Sequence, residues 1–250
     1  PEGPLCYLPF GALFSKTVVM TPSGTTHTLL LSETRDRGTG ILALGNPDYE
    51  GASKGAQAIY YRGRTLEPLP ATKEEVERIG TTRLLGSDAT EAGLAKALKD
   101  ATRWRAVHFA CHGLVNVERP MLSMLALSRS REDDGFLTAL QILHMDIPTD
   151  LAVLSACETA RGKNVKGEGI VGLTRAFMFA GAPRVICSLW KVHDEATQAL
   201  MLKFYELWNP KQGAGIPAAA ALQQAQAFVR SQDKWKHPYY WAAWVLWGLP

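Results

Sequence analysis

Val107-His108-Phe109-Ala110-Cys111-His112-Gly113 and Leu151-Ala152-Val153-Leu154-Ser155-Ala156-Cys157 are the two stretches on which the reading of this chain turns. Each begins as a short, nearly continuous apolar run of strand length. Each then passes without a break into a reactive side chain, His112 in the first and Cys157 in the second. Unbroken apolar runs, rather than alternating ones, are what a strand covered on both faces requires. Ile41–Leu44, ending at Gly45-Asn46-Pro47, and Arg184–Leu189 have the same character. All four are predicted to be central strands.

Helical stretches separate these strands, which is the pattern of a layered α/β fold with a mostly parallel sheet between helices. Thr72-Lys73-Glu74-Glu75 fits a capping box at the head of a helix running to about Ile79, and Thr90 is placed to cap Glu91–Leu98. Ile170–Ala180 has apolar residues at helical spacing and stops at Gly181-Ala182-Pro183; Ala196–Trp208 and Ala218–Val229 follow. Polar, glycine-containing segments at Ser32–Gly40, Arg129–Gly135, Arg161–Gly169 and Asn209–Pro217 read as loops. Of these, Arg161–Gly169 is expected to open easily and either to gate the site or to be clipped at Arg161, Lys163 or Lys166. The aromatic segment Tyr239–Gly248 favours a strand with its rings in the core, a buried helix start near Trp241 being the alternative.

Composition sets the frame for any function. With 46% hydrophobic and 20% charged residues the chain has enough apolar material for a substantial core, so disorder is excluded. Its 250 residues are enough for one large α/β domain, 1–250, or for two small ones. The net charge of +3 comes without a Lys/Arg block, so no nucleic-acid partner is implied. No apolar run approaches the roughly 18 residues that span a bilayer, and a cytoplasmic protein is expected. Cys6, Cys111, Cys157 and Cys187 are scattered without a CxxC pair, which suggests reduced thiols and neither a disulfide framework nor a zinc site. A zinc site drawn from Cys111, His112, Cys157 and His193 would lack any short chelating pair. The opening Pro1-Glu2-Gly3-Pro4 is not a natural start, so an upstream part is expected to be missing.

In open parallel sheets ligands bind beyond the carboxyl ends of strands, and both His112 and Cys157 sit just past such ends. A thiol becomes a strong nucleophile as the thiolate, and an imidazole within reach takes its proton near neutral pH. The N–H of Gly113, unobstructed by a side chain, and that of Cys157 would then stabilise an oxyanion. Without knowledge of strand order, a buried thiol and a structural histidine explain the two residues equally well.

The two quoted stretches, the second continued through Glu158-Thr159, resemble the signature motifs of CHAT-domain peptidases, relatives of caspases and separase. The resemblance continues through Gly167-Glu168-Gly169, Arg175-Ala176-Phe177, Ala180-Gly181-Ala182, Ser188-Leu189-Trp190 and Asp194. It closes with His237-Pro238 and Tyr240-Trp241, covering about Ala106–Gly248, and Leu8-Pro9-Phe10, Ala12-Leu13 and Gly45-Asn46-Pro47 look like weaker landmarks before it. It implies a caspase-like sheet and a cysteine endopeptidase in which His112 is the base and Cys157 the nucleophile, with no required carboxylate and no cofactor. It also implies a protein or peptide substrate, and regulation by an upstream domain or partner protein. A catalytically silent, peptide-binding scaffold of the same fold is the alternative. A cysteine hydrolase or acyltransferase acting on a small molecule is a third reading, disfavoured by the resemblance alone.

Other residues carry weaker signals. Cys111 adjoins His112, but successive strand residues point to opposite faces, so Cys111 is not expected to share the site. Cys187 is expected in the core. In the separase branch an acid near the Leu-Trp-x-x-x-Asp pattern is associated with basic P1 side chains. That makes Asp194 a substrate-binding candidate, although a helix start explains an acid there as well. Ser155 stands two residues before Cys157, where some caspase relatives carry Asp, so a basic-P1 preference does not follow.

Overall fold

The computed structural model describes residues 8–14, 16–33, 35–52, 58–61, 63–116, 118–155, 168–209 and 214–250. Cys6, Cys157 and nearly all of the 161–169 loop lie outside the described residues. In chain order the elements are α1 Phe10–Leu13, α2 Gly24–Ser32, β1 Thr39–Pro47, β2 Tyr60–Tyr61, β3 Arg64–Thr65, α3 Ala71–Ile79, β4 Thr82–Gly86 and α4 Glu91–Ala97. They continue with β5 Trp104–Ala110, β6 Gly113–Leu114, β7 Met124–Ala126, β8 Phe136–Thr138, α5 Ala139–Leu143, β9 Ala152–Leu154, α6 Glu168–Phe179, β10 Arg184–Ser188, α7 Asp194–Trp208, α8 Ala218–Ser231 and β11 Trp244–Gly248.

The main sheet has six strands in the order β11-β10-β9-β5-β1-β4, all parallel except the β10–β11 pair. The four strands expected to be central are the four interior ones. Their alternation feeds two cores. Leu42, Leu44, Val107, Phe109, Ala152, Leu154 and Val185 face α4, α5 and α6. Ile41, Ala43, Ala106, Ala110, Val153 and Ile186 face α3, α7 and α8. Burying each large aliphatic side chain contributes about 1.5–3 kcal/mol, so a strand with both faces covered holds its register from two sides.

Only the second half of the aromatic segment is strand: Trp244–Gly248 forms β11, paired with β10, whereas Pro238–Tyr240 makes a short 3-10 turn before it, so the strand expected from Tyr239 starts five residues later. Trp241, Trp244 and Trp247 are buried, so the core reading holds for them, while Tyr239 is exposed. Thr90 caps α4 as expected, its side chain accepting from the Gly93 N–H. Gly181, at φ +117°, ends the α6 region where the sequence placed a stop. A helix–strand close approach explains Gly45: a Cβ there would lie 2.6 Å from Val76 Cγ2 of α3.

Two local expectations need correction. The strand Ile41–Leu44 does not end at Gly45: β1 runs on to Pro47, with an irregularity at Asn46, which sits at φ +45°. The capping box at Thr72 does not form. Helix α3 begins two residues earlier, at Ala71, with Pro70 at the N-cap and no side-chain cap bond. The Thr72 hydroxyl instead donates to the Leu69 carbonyl and accepts from the Asn46 N–H, tying α3 to the bend in β1. Glu75 points into the protein. With Thr72, Val76 and Ile79 it forms the buried stripe of α3, at i, i+3, i+4 and i+7.

Candidate active site

Strand order decides whether His112 and the Cys157 segment share one crest. Strands β5 and β9 are neighbours, with Phe109 opposite Leu154 and the Ser155 N–H donating to the Phe109 carbonyl at 2.8 Å. Ser155, two residues before Cys157 in the sequence, therefore lies beside the strand that delivers His112. From β1 the chain crosses to β4 on one side, while β5 lies on its other side. The order thus reverses at β1/β5, the position where open α/β sheets form a crevice.

His112 is only 6% exposed and is held from three directions. Its N–H donates to the Tyr49 hydroxyl at 3.0 Å, and that hydroxyl donates on to the Ala126 carbonyl at 2.9 Å. Its own carbonyl accepts from the Ala126 N–H at 2.8 Å. The Tyr49 ring lies 5.2 Å from the imidazole. Burial first, and the nearby Cys111 side chain second, raise the Tyr49 phenol well above its ordinary pKa, so the hydroxyl keeps the proton it donates.

The third contact sets the chemistry. Nε2 of His112 lies 2.8 Å from the backbone carbonyl of Glu67. A carbonyl only accepts, so Nε2 carries the hydrogen and the lone pair of the neutral ring sits on Nδ1. The carbonyl is well placed to hold that role. Leu66 and Leu69 are buried on either side of it, and the following Pro68 confines Glu67 to extended backbone. A fixed tautomer with its basic nitrogen unclaimed by Glu67 is what a general base needs.

Gly113 opens the short strand β6, opposite Leu125 of β7. The Ala126 N–H to His112 carbonyl bond marks 112/126 as a hydrogen-bonded position. Gly113 therefore occupies a non-hydrogen-bonded position, and its N–H turns away from β7. Cys111 is fully buried in the core facing α4, α5 and α6, on the face opposite Ala110 and Ala106. Cys187 is buried in the same core. Asp194 is the first residue of α7, exposed, with His193 as N-cap and no side-chain cap bond; the His193 ring lies edge-on to Tyr240 at 5.5 Å. No group of three or more potential metal ligands occurs among the described residues.

Sequence reasoning points to His112 and Gly113 but not to Tyr49 or the Glu67 carbonyl, which hold the ring. A backbone acceptor leaves no side-chain signature, and the Glu67-Pro68 pair was the one local hint of a stiffened carbonyl.

The CHAT domain family model matches residues 1–249. Tetratricopeptide repeat protein 28 of Homo sapiens is 31% identical over 72% of this chain, which covers 8% of that protein. Its Mus musculus counterpart is 30% identical over 72% of the chain, covering 9% of the relative. The chain thus spans about a tenth of the length of the curated relatives it matches. Among solved structures, Saccharomyces cerevisiae separase in complex with securin aligns with a TM-score of 0.60 at 16% identity, covering 98% of this chain and 15% of that one. The Arg-specific cysteine proteinase gingipain R aligns with a TM-score of 0.54 at 10% identity, covering 86% and 49%. Together with the six-stranded sheet and its flanking helices, these likenesses give the fold as caspase-like, and the chain belongs to the CHAT domain family.

Proposed function

We propose that the chain is a cysteine endopeptidase domain with His112 as general base and Cys157 as nucleophile. The observation that carries the reading is the locked His112 ring at the carboxyl end of β5, its Nε2 committed to Glu67 and its Nδ1 left to accept a proton. In the proposed sequence Nδ1 takes the Cys157 Sγ proton, and the thiolate attacks the substrate carbonyl carbon. The N–H groups of Gly113 and Cys157 stabilise the oxyanion. His112 returns its proton to the leaving amine, and a thioester remains. Water activated by the same nitrogen then releases the acid and regenerates the thiol. Throughout these steps the Glu67 carbonyl keeps accepting from Nε2–H, so the ring holds its orientation.

The substrate is proposed to be a protein or peptide, with Asp194 touching a basic P1 side chain. Regulation is proposed to come from an upstream region or a partner protein. The tetratricopeptide name of the curated relatives and the securin bound to the separase neighbour support that part. A cytoplasmic setting belongs to the same proposal. The competing reading, a peptide-binding module without catalysis, is favoured by one observation: the curated relatives are named for repeats and not for a hydrolase.

Incubation with a mixed peptide library, read by mass spectrometry beside a Cys157→Ala control, separates the two. Cleavage confined to the protein with Cys157 supports the peptidase. Peptide retention without any cleavage supports the scaffold.

A further inference from the structure

Glu75, His108, Ser155 and Tyr205 form a polar cluster inside the protein, on the face of the sheet covered by α3 and α7. Glu75, His108 and Ser155 are at most 1% exposed. The Ser155 hydroxyl donates to Glu75 Oε1 at 2.9 Å. His108 Nε2 lies 2.8 Å from the same oxygen, out of line for a regular hydrogen bond. His108 Nδ1 lies 3.3 Å from the Tyr205 hydroxyl. Burial first, and the Glu75 carboxylate second, raise the Tyr205 phenol well above its ordinary pKa, so its hydroxyl stays protonated beside His108 Nδ1.

Packing alone does not call for this arrangement. Val76 and Ile79 of α3 already fill the interface with apolar surface, and a carboxylate removed from water is costly unless it is paired. What the cluster does is specific: one carboxylate oxygen meets β5 through His108 and the end of β9 through Ser155. These are the strands that lead to His112 and to Cys157. Ser155 is also held through its N–H by the Phe109 carbonyl, so it is tethered by both main chain and side chain.

We propose that Glu75 is a positioning residue that acts through Ser155, tethering the carboxyl end of β9 and thereby governing the reactivity of Cys157, two residues further along the sequence. The proposal rests on the His112/Cys157 reading above.

The test uses the 250-residue chain with two readouts: the pH profile of Cys157 alkylation by iodoacetamide, mapped by mass spectrometry, and kcat and KM on the best-cut library peptide. The wild type is expected to alkylate with an apparent thiol pKa below the ordinary value of about 8.5. Ser155→Ala should move the profile back up toward that value and lower kcat by about 10- to 100-fold with KM little changed, alongside a modest fall in melting temperature from the donor lost to Glu75. Glu75→Gln keeps an acceptor oxygen for the Ser155 hydroxyl and should retain most of the rate, whereas Glu75→Leu should behave like Ser155→Ala. Should Glu75→Leu fail to fold, Ser155→Ala decides. A Ser155→Ala protein that matches wild type in both readouts overturns the proposal, and so does one that unfolds outright. If Cys157→Ala still cuts peptide, the dyad reading falls, and the alkylation profiles still judge the tether independently.

Discussion

The two ends of the parallel sheet use polar groups in opposite ways. At the amino end, Asp150 accepts from Arg103 Nε at 2.7 Å, from Arg105 at 2.9 Å and from the Gly38 N–H at 3.0 Å, closing the starts of β5, β9 and β1 onto one carboxylate. Arg103 also donates to the Thr149 carbonyl, and the Arg105 guanidinium lies 3.9 Å over Trp208. At the carboxyl end, His112 has its main chain and one ring nitrogen tied down, while Glu67 leaves the other nitrogen unclaimed. Groups that satisfy one another hold a fold together. A group held rigidly but left with a basic nitrogen is available to a substrate.

The sharpest way to break this comparison is Asp150→Ala. It leaves Arg103 and Arg105 facing each other without their shared counter-charge, and removal of one member of such a nearly buried set costs about 3–5 kcal/mol. Chemical denaturation should report a loss of that size, while the specific activity of the still-folded fraction stays at the wild-type level. An equal fall in specific activity would erase the distinction between the ends.

Tyr49→Phe probes the carboxyl end at its boundary between structure and chemistry. The change strips partners from the buried His112 N–H and Ala126 carbonyl and should cost about 2 kcal/mol of stability. Because Tyr49 also fixes the peptide of His112, the proposed base, kcat is expected to fall while KM moves little.

A smaller effect concerns Glu91 at the head of α4. Burial first, then Asp133 and Asp134, push its carboxyl up to about 7, and its Oε2 accepts from Gln141 Nε2. The folded-state value lies above the unfolded one. Its contribution is therefore fully present below about pH 4.5 and is lost as pH rises through about 7. Since the carboxyl is only half-buried, the loss amounts to about 1 kcal/mol. Glu91→Gln should flatten that part of the stability–pH curve, and an unchanged slope in the variant would refute the assignment.

The smallest change is expected at Asp194. An exposed acid contributes under about 1 kcal/mol to an ion pair, so Asp194→Asn should shift the Arg/Leu ratio of kcat/KM at P1 by less than about fivefold. No shift would leave Asp194 as a first-turn residue that complements the α7 dipole.

Much of the fold was legible because burial on both faces leaves an unbroken apolar signature. Val107–Cys111 and Leu151–Ser155 announced themselves as interior strands, and the helix stop at Gly181 was equally plain. The site was legible only in its side chains. His112 and Gly113 stand in a motif, but the orienting partner is a carbonyl from Glu67, 45 residues away and from a different loop, and no side-chain pattern encodes a carbonyl. The misread at Thr72 has a related cause. Thr-x-x-Glu spacing fits a cap, yet tertiary contacts claimed both residues, Thr72 by Asn46 and Leu69, and Glu75 by Ser155 and His108. Strand order, which decides that β5 and β9 lie side by side, depends on crossovers that local sequence does not report.

The central claim is that His112 and Cys157 work as one unit, and comparison of His112→Ala, Cys157→Ala and the double variant on one cleavable peptide tests it most directly. The account predicts that each single change lowers kcat/KM by at least about a thousandfold in a protein that stays folded, and that the double variant is within about threefold of either. A folded single variant that keeps more than about a tenth of the wild-type rate would contradict it.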